Sequence, residues 1–117
     1  MIRNKTGVWG EIFTSRYLRD RGYRILSTNY VCRFGEIDIV AQKDKTLCFV
    51  EVKTRNEKTE IRPMEAVDEG KRDRLKMTAK SFISFSKAEG EFRFDVCEVY
   101  LDDNNALVGI NYIENAF

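Results

Sequence analysis

The chain has 117 residues, 43% hydrophobic and 33% charged with a single proline, the composition of one globular domain (residues 1–117) rather than of a disordered or fibrous protein. It contains no histidine, which excludes Ser-His and Cys-His catalysis, histidine general bases and the H-E-x-x-H zinc site, so any chemistry must run on carboxylates, lysine, arginine or tyrosine. Net charge is only +1, yet residues 1–90 carry 19 Lys+Arg against 13 Asp+Glu while residues 91–117 carry one against six, an asymmetry that either leaves one face basic or is an ordinary solvated surface.

In chain order, Val8, Trp9, Ile12, Phe13 and Tyr17 recur at the spacing of an amphipathic helix over 6–21, which Gly22 ends as a C-terminal cap. Residues 23–26 read as a short strand and 29–35 as a connection. Residues 36–42 and 46–54 read as two strands of a tight hairpin around Lys43-Asp44-Lys45, followed by a polar loop over 55–60. Pro63 suits the first turn of a helical region. Leu75, Ala79, Phe82 and Ile83 mark the buried stripe of a helix that runs to about Lys87 and is stopped by Gly90. A strand over 92–100, a turn at Asp102-Asp103-Asn104-Asn105 and a last strand over 107–113 complete an α/β sandwich around a mixed sheet.

No apolar run approaches the ~20 residues of a membrane span, and the first seven residues lack the apolar region of a secretory signal, so a cytoplasmic protein without membrane contact is expected. Cys32, Cys48 and Cys97 show neither C-x-x-C nor zinc-ligand spacing and are expected to be reduced and structural. Gly7-Val8-Trp9-Gly10 lacks the G-K-[ST] ending of a P-loop, so no nucleotide cofactor is inferred.

Two carboxylates and a lysine interrupt the apolar hairpin: Asp38 in Glu36-Ile37-Asp38-Ile39-Val40, then Glu51 and Lys53 in Glu51-Val52-Lys53. An ionised carboxylate in a low-dielectric setting costs several kcal/mol unless it is paired or binds a metal. Strand alternation puts Glu36, Asp38, Val40, Leu47, Phe49, Glu51 and Lys53 on one face and Ile37, Ile39, Ala41, Cys48, Val50 and Val52 on the other. A two-residue loop at Asp44-Lys45 pairs residues whose numbers sum to 89, which sets Asp38 opposite Glu51 and Glu36 opposite Lys53.

Two carboxylates that close need a proton or a cation between them, and all-oxygen ligation favours Mg²⁺ or Mn²⁺, with the Val52 carbonyl as a further ligand. Lys53 beside the metal can orient water or stabilise charge developing on phosphorus, which is metal-assisted phosphodiester hydrolysis. Glu36 is read as a partner of Lys53 rather than a ligand. The competing reading makes Glu36–Lys53 a cross-strand ion pair and Asp38 a cap on a backbone group. Lys71, Arg72, Arg74, Lys76 and Lys80, with only Asp73 among them, are candidate phosphate contacts or a solvated helix face; Lys71 lies four before Leu75 on the buried stripe, and Arg55 follows the Glu51-Lys53 strand.

Gly10-Glu11, Tyr17-Leu18, Gly22-Tyr23, Asn29, Gly35-Glu36-Ile37-Asp38, Phe49-Val50-Glu51-Val52-Lys53-Thr54-Arg55, Glu65-Ala66-Val67, Lys71 and Arg93-Phe94-Asp95-Val96 resemble, in order and spacing, the YraN-like family of small bacterial proteins. That family looks like a minimal PD-(D/E)xK domain, similar in layout to archaeal Holliday-junction resolvases. The resemblance implies an α/β, restriction-endonuclease-like α-β-β-β-α-β core, a mixed sheet flanked by helices. It also implies a nuclease acting on DNA, branched or recombining DNA included, with Asp38, Glu51 and Lys53 at the metal and catalytic positions and Glu11 at the extra acidic position on the first helix. On a helical wheel Glu11 lies off the apolar arc beside Ser15 and Leu18, so a surface glutamate is the alternative. Ile37 stands where the family pattern names a proline. A junction-cutting enzyme needs two cuts, which favours a homodimer. The alternative function is a non-catalytic module that binds nucleic acid or a protein partner.

Overall fold

A computed structural model of the chain describes residues 5–56 and 69–117. Helix α1 (Lys5–Asp20) is followed by strands β1 (Arg24–Cys32), β2 (Gly35–Lys43) and β3 (Thr46–Asn56), then helix α2 (Glu69–Ser86) and strands β4 (Glu91–Leu101) and β5 (Leu107–Ile113). The strands form one sheet in the order β1-β2-β3-β4-β5. The β3/β4 pair is parallel and the other three are antiparallel, so the fold is mixed α/β, consistent with an α-β-β-β-α-β core. Pro63 and most of the expected 55–60 loop lie outside the described residues. Among the described residues no helix is long and apolar enough to cross a membrane.

Each helix covers one face of the sheet. Leu18 of α1 packs with Ile39, Ala41, Cys48, Val50, Cys97, Val99 and Leu101. Leu75, Ala79 and Phe82 of α2 pack with Ile37, Val40, Leu47, Phe49 and Val96. Burying one such side chain fully is worth about 1.5–3 kcal/mol, so the two clusters are what hold the helices to the sheet. The expected stop of α1 is present as a Schellman motif: Gly22 takes φ 88° and donates to Arg19 O, while Tyr23 N–H donates to Leu18 O, both at 3.0 Å.

The stop of α2 differs from expectation. Lys87, at φ 57°, donates its N–H to Ile83 O at 2.8 Å and ends the helix three residues before Gly90. Gly90 is needed for a close approach instead, because a Cβ there would lie 2.2 Å from Lys45 O, whose carbonyl accepts the Glu91 N–H at 2.8 Å. This contact ties the start of β4 to the β2–β3 turn.

Two strands are longer than the pattern suggested. β1 continues through the expected connection to Cys32, helped by a register shift between Ile25 and Ser27 and by Asn29 at φ 55°. β3 continues through Arg55 and Asn56, because its parallel pairing with β4 extends to Asn56↔Leu101. The β2–β3 register is the expected one, with Lys43↔Thr46 closing a two-residue turn and the ladder running to Ile39↔Val50. It ends one pair short of Asp38 and Glu51.

The expected placement of Ile37 with Ile39 on one face is corrected. Thr28 and Ile39 are register partners on the α1 side, but the next partners, Tyr30 and Ile37, both pack on the α2 side. With a single residue between them in each strand, the β1–β2 ribbon turns over at Asn29 and Asp38 while β3 keeps its alternation. Positive φ at Asn29 permits the turn in β1, and the loss of ladder pairing beyond Ile39 permits it in β2.

Candidate active site

Asp38 sits where β2 and β3 part, and its side chain takes over a role the ladder gives up. A two-residue hairpin closes on a hydrogen-bonded pair, and such pairs recur every second residue, so Val52 would next exchange bonds with Ile37. Instead Val52 N–H donates to Asp38 Oδ2 at 2.8 Å. The carboxylate is therefore directed along the sheet toward β3, which keeps it beside the strand that carries Glu51.

Glu51 extends to the α2 side of β3, following the alternation of Leu47 and Phe49. Its Oε1 is ion-paired with Lys71 Nζ from the first turn of α2. Its side chain is 13% exposed, and among the described residues Oε2 is buried without a hydrogen-bond partner. A buried carboxylate oxygen in that state costs on the order of 1–3 kcal/mol, and it is the kind of atom that a bound cation or water satisfies.

Glu36, Asp38, Glu51 and Lys71 line one cavity of about 140 Å³ whose remaining wall is apolar and includes Phe49, Leu75, Phe94 and Phe117. Phe117 stacks on Phe94 at 5.2 Å, and the Arg72 guanidinium lies 5.8 Å from the Phe117 ring centroid. Glu36 pairs in register with Val31 and also lines a neighbouring cavity with Lys71 and Arg74. The donors in the cavity are all oxygen. Among the described residues no three or more His, Cys, Asp or Glu side chains gather closely enough to form a ready-made metal cage. Carboxylate oxygen is the donor type that hard divalent cations take.

The other candidate residues are placed apart from this cavity. Lys53 shares the alternation of Glu51 but does not line the cavity; its register partner in β4 is Glu98. Glu98 is buried, accepts from Asn111 Nδ2 at 2.9 Å, and has Oε2 3.7 Å from Arg55 Nε. Arg55, only 12% exposed, thus lies within ion-pair reach of Glu98, although among the described residues neither Arg55 Nε nor Glu98 Oε2 makes a hydrogen bond. Glu11 accepts from Asn29 Nδ2 at 3.2 Å and lines a different cavity beside α1 with Arg16 and Arg19. Of the basic stretch on α2, Lys71 and Arg72 are half-buried against the sheet, while Arg74, Lys76 and Lys80 are exposed.

Two buried carboxylates in β4, Asp95 and Glu98, were not expected from the sequence. Asp95 is bound by Arg93 through Nε at 2.9 Å and Nη2 at 3.0 Å, by Tyr112 OH at 2.6 Å and by Asn115 N–H at 2.9 Å. Burial, and next the bond to Asp95, hold the Tyr112 hydroxyl well above the usual tyrosine range. Burial, and next the Asp95 charge, push the Cys48 thiol up to about 12. Arg93 and Asp95 stand two apart in a strand and so share a face, the one local sign that they pair.

The model of the "Uncharacterised protein family UPF0102" matches residues 10–99. A UPF0102 protein of Caldicellulosiruptor bescii is 42% identical over 119 residues, covering 100% of both chains. One of Moorella thermoacetica is 42% identical over 118 residues, covering 100% of this chain and 98% of its own, and one of Dictyoglomus thermophilum is 40% identical over 118 residues, covering 100% of both. The chain belongs to the UPF0102 family.

Proposed function

We propose that the chain is a Mg²⁺- or Mn²⁺-dependent nuclease of the restriction-endonuclease-like, PD-(D/E)xK fold that hydrolyses DNA phosphodiester bonds, with branched or recombining DNA as its substrate. The observation that carries this reading is the cavity shared by Asp38 and Glu51, two acids thirteen residues apart in otherwise apolar strands, with Glu51 Oε2 buried and unpartnered among the described residues. Asp38, Glu51 and the Val52 carbonyl would hold the cation. When bound, such a cation polarises a phosphoryl oxygen and acidifies water.

The chain's own groups have separate tasks in this reading. The Val52 N–H fixes the Asp38 carboxylate. Lys71 and Lys53 supply positive charge at and beyond the cavity, Glu36 lines its mouth, and exposed Arg74, Lys76 and Lys80 meet backbone phosphates. Two cuts across a junction need two such sites, so the reading includes a homodimer, which sedimentation would detect.

The test is incubation with four-way junction, duplex and single-stranded DNA, and with RNA, in Mg²⁺ and in Mn²⁺. Junction cleavage that disappears in Asp38→Ala and Glu51→Ala is the expected result. Absence of cleavage on every substrate in both metals overturns the reading. A second reading, a binding module without catalysis, is favoured by the Lys71–Glu51 ion pair, which already neutralises one of the two acids. DNA affinity indifferent to EDTA and to Asp38→Ala, without cleavage, would establish it.

A further inference from the structure

We infer that Lys71 is a built-in competitor of the divalent cation: its ammonium holds Glu51 while the site lacks metal, and cation binding displaces it. The inference rests on the metal reading of the site, and it concerns the state in which the protein waits rather than the cleavage itself. Three observations lead to it. Lys71 Nζ is ion-paired with Glu51 Oε1, the acid that the metal reading needs. Lys71 lines the same cavity as Asp38 and Glu36, so its charge is held in the space that the three carboxylates share, whereas Lys53 does not line it. Glu51 Oε2 remains buried and unpartnered among the described residues, so the ammonium neutralises Glu51 without satisfying it.

A single positive charge with short-range donors is thus a partial substitute for a cation that would engage both carboxylates. The exchange can occur without moving α2. Leu75 is buried against the sheet one turn after Lys71, and Arg72 lies over the Phe117 ring, which itself stacks on Phe94. The four-carbon stem of a 40%-exposed lysine can swing its ammonium out of the cavity while this anchored backbone stays in place.

Because the ammonium repels a cation drawn to the same carboxylate, removing it is expected to tighten cation binding. Calorimetric titration with Mn²⁺ alone is the test. Lys71→Met, which keeps length and removes charge, is expected to bind Mn²⁺ about tenfold tighter than the unmodified chain or better. Lys53→Met is expected to change affinity little, and Glu51→Gln in the Lys71→Met background is expected to abolish binding. Equal or weaker Mn²⁺ binding by Lys71→Met overturns the inference and leaves the metal reading intact; no Mn²⁺ binding by either protein overturns both. Should Lys71→Met fail to fold, the ¹³Cε resonance of Lys71 in the unmodified protein decides the question: it shifts on saturation with Mg²⁺ if the ammonium leaves Glu51, and an unchanged resonance at saturation overturns the inference.

Discussion

Asp38 accepts the main-chain N–H of Val52 at 2.8 Å, so a side chain from β2 completes a hydrogen bond that the β2–β3 ladder abandons after Ile39↔Val50. One carboxylate oxygen is thereby committed to structure, and the parting of the two strands opens the cavity that Asp38 shares with Glu51. In the proposed function Asp38 has two duties, and they can be separated chemically.

Asp38→Asn keeps a side-chain acceptor for the Val52 N–H but removes the charge. It is expected to unfold within about 1 kcal/mol of the unmodified chain while losing Mn²⁺ affinity. Asp38→Ala removes both and should cost a further ~1–2 kcal/mol, with faster amide exchange at Val52. Urea unfolding and hydrogen exchange check this; equal stability of the two variants would show that the Val52 bond contributes nothing.

Gly10 brings α1 into direct contact with β3. A Cβ at this position would lie 1.9 Å from Thr54 Oγ1, 3.1 Å from Thr54 Cβ and 3.2 Å from Val52 Cγ1. Thr54 is β-branched and stiff, so the helix must move away. Gly10→Ala is expected to destabilise by about 1–3 kcal/mol, outweighing the roughly 1 kcal/mol that alanine gains over glycine inside a helix. Thr54→Ala in the same chain should recover part of the loss, and thermal unfolding of the four proteins of the cycle measures the coupling.

These cases also mark what was legible in the chain. The β2–β3 register follows from a two-residue turn, a local feature, and it holds wherever the ladder exists. The same local logic misassigned Ile37, because alternation presumes an uninterrupted strand and cannot anticipate the turn-over at Asn29 and Asp38. Asp38 and Glu51 stood out because charge in an apolar run is costly. The neighbours of Lys53 and Arg55 were hidden, since Glu98 comes beside them only through a parallel pairing made across α2. Lys71 was recognisable as facing inward from its spacing to Leu75, but its partner Glu51 comes from a different element.

Alkaline stability should reflect the buried protons around β4. The Cys48 thiol is pushed up to about 12 by burial and then by the Asp95 charge, Cys97 to about 11 by burial despite the Thr14 hydrogen bond, and Tyr112 is raised for the reasons given above. Each folded value lies above the ordinary one, so above about pH 9 the unfolded chain loses protons that the native chain keeps. Their contribution is complete below the ordinary values and is lost as pH rises toward the folded ones. Unfolding free energy is expected to fall from about pH 9 to 12, by at most about 1.4 kcal/mol per pH unit for each group. Cys48→Ala should flatten the fall between pH 9 and 10, before tyrosine contributes; an unchanged slope there would contradict the assignment.

Arg55 offers the sharpest contrast between a phosphate contact and a structural role. Its side chain is 12% exposed and that of Glu98 is 2% exposed, with Nε and Oε2 3.7 Å apart. Removing either partner leaves the other charge buried, which typically costs about 3–5 kcal/mol, whereas replacing both by apolar residues of similar volume is often neutral. Arg55→Met and Glu98→Leu are therefore each expected to be strongly destabilising, and the double variant to recover most of the loss in urea unfolding. An arginine held by a buried carboxylate releases no counterion from DNA. The slope of log affinity against log salt should accordingly be the same for the double variant and the unmodified chain, and a slope shallower by about 0.9 would identify Arg55 as a phosphate contact after all.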